Sequence, residues 1–77
     1  MNPLKLKGFR VSKGKTQRDC GEMIEKNTDT YAKKERGEVE ITLFEALVLA
    51  IGLEMEFSDF NAIFFDGDLP FRNIEKS

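Results

Sequence analysis

Apolar residues in this chain recur mostly at three- and four-residue intervals, the period of amphipathic helices, and little of the chain alternates as a strand would. Leu6, Phe9, Arg10 and Lys13 follow i, i+3, i+4, i+7 spacing with Leu6 and Phe9 facing inward. This predicts a helix over residues 4–13, ended by Gly14 in a left-handed conformation. Thr16 is a good N-cap with Asp19 as the capping-box acid, and Cys20, Met23 and Ile24 supply the buried side of a second helix over residues 17–24. Asn27 or Thr28 caps a third helix over residues 28–35, in which Thr28, Tyr31, Ala32 and Glu35 share one face. Gly37 stops it.

Thr42 and Glu45 match the capping box of a fourth helix, where Leu43, Ala46, Leu47, Ala50 and Ile51 form the expected core stripe before Gly52. Phe44, Val48 and Leu49 lie off that stripe, so the helix is apolar nearly all round and is expected to be buried on several sides. Ser58 caps a fifth helix with Phe57, Phe60, Ile63 and Phe64 as its apolar members, and Asp59 complements the positive end of its dipole. Asp66-Gly67 is then a turn signal that can set residues 63–65 against 69–71 in a small hairpin; because Pro70 excludes a long central strand, an extended tail is the alternative. The expectation is one all-α, five-helix domain over residues 1–71 and a loose tail over 72–77.

Seventy-seven residues supply one small core, so a large enclosed active-site cleft is not expected. The longest apolar run, residues 43–53, is interrupted by Glu45 and is too short to span a bilayer, and residues 1–15 lack a signal-peptide apolar region. A cytoplasmic protein without a membrane partner is expected. Cys20 is the only cysteine and histidine is absent, which removes an intramolecular disulfide and the usual zinc ligand sets. With no phosphate loop or reactive-cysteine setting either, no residue is assigned a catalytic role, and no metal, cofactor or small-molecule substrate is expected.

The net charge of −2 divides unevenly. Residues 1–36 hold ten Lys and Arg against five Asp and Glu, a charge of +5, whereas residues 37–77 hold two against nine, a charge of −7. Phosphate attraction follows local positive charge, so a basic face can bind DNA while the acidic half opposes other orientations.

That basic half contains residues 16–37, TQRDCGEMIEKNTDTYAKKERG, two short helices joined by a tight turn. In a DNA-reading helix-turn-helix, the first helix lies across the backbone and the N-terminal part of the second enters the major groove. Thr28, Asp29 and Lys33 are therefore the candidates for base edges: lysine donates to guanine, aspartate accepts from cytosine N4, and threonine offers a hydroxyl or a methyl. Gln17, Arg18, Lys26, Asn27, Thr30, Lys34 and Arg36 are the candidates for phosphates. Gly21 permits the two helices to approach closely, while Tyr31 and Cys20 are expected in the core.

Together Arg10, Gly14, Thr16-Gln17, Gly21, Ile24, Tyr31 and Glu35-Arg36-Gly37 resemble the pattern of the Xre or Cro/C1 family of helix-turn-helix regulators, which includes the small lambdoid phage repressors. The resemblance runs through ITLFEALVLAIGLEMEFSDF and covers roughly residues 4–65. It implies a five-helix repressor-like DNA-binding domain in which Arg10 pairs with Glu35 to fix the recognition helix. Glu25 stands where the family commonly has a turn glycine, Lys26 where an apolar residue packs, and Lys15 and Lys34 where apolar residues are frequent. The exit segment GEVEI carries Glu38 and Glu40, which repel phosphates if they face DNA.

The resemblance and the charge together imply a sequence-specific regulator of transcription, a phage or mobile-element repressor that binds a double-stranded operator. Family members gain affinity by pairing across half-sites about 34 Å apart, so a homodimer is expected. Phe44, Val48, Phe64, Phe65, Leu69 and Phe71 are the expected interface. The alternative is a helix-turn-helix fold used as a protein-binding module, antirepressor or antitoxin-like, acting through the acidic half.

Overall fold

Asn2 begins the first helix, α1 (Pro3–Ser12): its side chain accepts from the Lys5 N–H, and Pro3 occupies a position where no amide proton is required. The structure, a computed structural model, describes residues 1–69. Four further helices follow, α2 (Gln17–Met23), α3 (Thr28–Glu35), α4 (Leu43–Gly52) and α5 (Phe57–Phe64), and no strand occurs among the described residues. The protein is all-α, and none of these helices is long and apolar enough to cross a membrane.

Local chemistry sets the boundaries. Thr16 with Asp19, and Thr42 with Glu45, form reciprocal capping boxes that satisfy otherwise orphaned amides of α2 and α4. Asn27 caps α3 by accepting from the Thr30 N–H. The fifth helix begins one residue before Ser58: Glu56 is its N-cap, and Asp59 accepts from the Glu56 N–H.

Leu6, Cys20, Ile24, Tyr31, Ala46, Leu49, Leu53, Ile63 and Phe64 form the core, with Phe9, Val48, Phe60 and Phe65 packed against it half-buried. α2 packs on α3 and α4, while α1 packs on α3 and α5. The Asn2 N–H donates to the Ile63 carbonyl at 2.7 Å and so ties the start of the chain to α5.

Two further sequence expectations for the second half are corrected. On α4 the inward face carries Glu45, Ala46 and Leu49, continued by the C-cap Leu53, whereas Leu43, Leu47 and Ile51 are exposed. Periodicity cannot orient a helix that is apolar nearly all round; here Lys34 and the Thr42 amide draw Glu45 inward and thereby set the rotation. Second, the expected hairpin has no counterpart among the described residues. Asp66 and Gly67 make a turn with positive φ, after which the Leu69 N–H donates to Asn61 Oδ1 at 3.0 Å. Pro70, Phe71 and the tail over 72–77 lie outside the described residues.

Candidate nucleic-acid interface

The α2–α3 turn depends on two residues. Glu25 takes a left-handed φ of 58°, supplying without glycine the conformation the turn requires. Gly21 faces the turn's backbone, and a Cβ there would sit 2.9 Å from the Lys26 carbonyl oxygen. The Lys26 N–H donates to the Gly21 carbonyl at 2.9 Å and closes the turn.

At its C-terminal end α3 is held by a buried network. Arg10 Nε donates to Glu35 Oε1 at 2.6 Å, Arg10 Nη2 to Oε2 at 3.3 Å and Arg10 Nη1 to the Lys15 carbonyl at 2.8 Å. Tyr31 Oη donates to Glu35 Oε1 at 3.0 Å, and Gln17 Nε2 to Oε2 at 3.1 Å. Burial pushes the Glu35 carboxyl up, but the hydrogen bonds from Arg10, Gln17 and Tyr31 outweigh it and hold the group below its ordinary value. The same bond to Glu35 raises the Arg10 guanidinium. α1, α2 and α3 are thus joined through one carboxylate.

A second buried pair was not foreseen from the sequence. Lys34 is 6 % exposed and Glu45 7 %, and Lys34 Nζ donates to Glu45 Oε1 and to the Glu40 carbonyl, both at 3.0 Å. Burial raises the Glu45 carboxyl, whereas its bonds with Thr42 and Lys34 lower it by more. Lys34 is therefore removed from the phosphate candidates, because its ammonium is consumed in joining α3 to α4. Its place beside Lys33 in a charged run hid this, although the resemblance puts Lys34 at a position where apolar residues are frequent; the Thr42–Glu45 capping box placed a carboxylate in the core that needed a cation.

The other candidates divide by partner. Thr28, Asp29 and Lys33 are exposed, and Lys33 Nζ lies 3.4 Å from Asp29 Oδ2. Arg18, Lys26 and Asn27 are exposed and Thr30 is half-buried, all on α2, α3 or the turn between them. Gln17 is half-buried and its amide donates one N–H to Glu35, so its backbone N–H at the start of α2 is the phosphate donor free of that network. Exposed Arg36 pairs with Glu38, which neutralises one charge of the acidic exit.

The expected dimer residues separate in the same way. Phe44 is 74 % exposed, whereas Phe64 belongs to the core and is corrected from an interface to an interior position; Val48 and Phe65 pack against the core half-buried. Leu69 is half-buried, and Phe71 lies outside the described residues. Leu43, Leu47 and Ile51, the last 80 % exposed, form with Phe44 an apolar outer face that the expected stripe had turned inward. Beside it an open groove of about 970 Å³ runs between the α3–α4 connection and the end of α5, lined by Val39, Ile41, Leu43, Phe60, Phe64 and Leu69 among others. Glu38 and Glu40 also line it.

No family model matches the chain, and comparison with curated proteins and with solved structures yields no match.

Proposed function

We propose that the chain is a sequence-specific double-stranded DNA-binding regulator of transcription. It is a repressor in the manner of the Xre or Cro/C1 regulators it resembles, working in the cytoplasm by occluding a promoter. The observation that carries this reading is the exposed side of α3, with Thr28 and Asp29 in its first turn and Lys33 one turn further on, on a helix whose C-terminal end is fixed by Arg10 and Gln17 through Glu35. A recognition helix needs this combination: a free leading turn for the major groove and a rigid base to set its angle. Lys26, Asn27 and Arg18 supply phosphate contacts beside it.

Two copies joined through Phe44, Leu47 and Ile51 present two such helices to a palindromic site. Selection of bound sequences from a random duplex pool tests the reading: it predicts two related half-sites with centres about one helical turn apart. A pool that enriches no sequence contradicts it.

The apolar groove with Glu38 and Glu40 among its lining residues favours a second reading, a protein-binding module that takes a basic, partly apolar segment. This reading predicts capture of such a segment and no enrichment from the duplex pool.

A further inference from the structure

Asp29 and Lys33 stand one helical turn apart on the exposed side of α3, 78 % and 47 % exposed at their side chains, with Lys33 Nζ 3.4 Å from Asp29 Oδ2. The other cations in the second half of this helix are committed elsewhere, Lys34 to Glu45 and Arg36 to Glu38. Asp29 also lies in the first turn, where the helix dipole favours a carboxylate.

Alone, an aspartate so placed would be repelled by the phosphates on both sides of a major groove. Paired with an ammonium, it enters as half of a neutral unit. That unit has an acceptor and a donor about as far apart as the two exocyclic groups of one base pair, which hydrogen-bond to each other across about 3 Å. A G·C pair offers guanine O6 and N7 to the ammonium and the cytosine N4 amino group to the carboxylate. A T·A pair offers the ammonium one acceptor beside a methyl group, a poorer match.

We infer that Asp29 and Lys33 act as one reading unit for a single G·C base pair, Lys33 on guanine and Asp29 on the cytosine of the opposite strand. This rests on the DNA-binding reading above and specifies part of its target. The pair sets a preferred orientation, since exchanging the two side chains exchanges the strands they address.

The test is selection from a random duplex pool with the full chain, its Asp29→Ala and Lys33→Ala variants, and the double exchange Asp29→Lys with Lys33→Asp. Far-UV circular dichroism confirms that each remains helical, which their exposure favours. The wild-type chain is expected to prefer G·C at one position of each half-site by about tenfold or more, and each alanine variant to lose most of that preference. The exchange is expected to select C·G at the same position. Salt-sensitive binding with a G·C preference that survives Asp29→Ala or the exchange overturns the paired unit while leaving DNA binding intact. Selection of T·A at that position overturns the guanine assignment. Absence of salt-sensitive binding in every variant overturns both the unit and the reading it rests on.

Discussion

Arg10 and Glu35, twenty-five residues apart, meet in a buried bidentate pair that fixes the end of α3 to α1. Each guanidinium nitrogen donates, since the remaining Nη1 bonds the Lys15 carbonyl. Removing one partner leaves the other charge buried, so Arg10→Met is expected to lower stability by about 3 kcal/mol, read as a shift in the urea midpoint. Tyr31→Phe removes only one hydrogen bond to the same carboxylate and should cost about 1–2 kcal/mol. Equal losses for the two would contradict the central place given to the ion pair.

The Lys34–Glu45 pair makes a contrasting prediction. Lys34→Met should destabilise the fold by about 3 kcal/mol while leaving the salt slope of DNA binding unchanged, because its ammonium faces Glu45 and the Glu40 carbonyl. Lys26→Met should do the reverse: little change in stability and a shallower salt slope, since Lys26 is exposed. A shallower slope for Lys34→Met would return Lys34 to the phosphate set.

These two pairs show how much was legible in the sequence. Arg10–Glu35 was visible because a resemblance supplied the partner, and the caps at Thr16 and Thr42 because their spacing is local. Lys34–Glu45 was not: the apolar family position of Lys34 pointed to its burial, but eleven residues separate the two and nothing local names Glu45 as the partner. The orientation of α4 was missed for a related reason: with apolar residues on every side, the paired Glu45 decides which side turns inward. Exposure of Asp29 and Lys33 followed directly from their offset from Tyr31 and Ala32.

Acid should destabilise the fold through the same carboxylates. Glu35 and Glu45 are both held below their ordinary value of 4.5 in the folded chain, so folding favours their ionised forms. Their stabilisation is therefore fully present above that value and is lost as pH falls through their lowered folded values. Urea midpoints should fall steeply from pH 5 to about pH 3. They should fall less in Glu35→Gln, which starts from a lower midpoint at neutral pH. An equal slope in the variant would exclude Glu35 as a source of the acid response.

Gly21 tests the turn. A methyl group there would press against the Lys26 carbonyl, a backbone atom that cannot swing aside, so Gly21→Ala should cost about 1–3 kcal/mol despite alanine's better helix propensity. A stabilised variant in thermal unfolding would show that the helices do not approach as described.

The exposed Phe44 and Ile51 predict self-association. Wild-type chain at micromolar concentration should scatter light as a dimer, and Phe44→Asp with Ile51→Asp should give an 8.8 kDa monomer that remains folded. A wild-type monomer both free and on DNA would remove this face from the account.

Binding of duplex DNA by the face led by α3 has its sharpest test in how salt changes affinity for the sequence enriched from a random pool. Log affinity should fall linearly with log salt, by roughly 0.9 for each phosphate neutralised, and the slope should become shallower in Lys26→Met. Binding that is absent or insensitive to salt would contradict it.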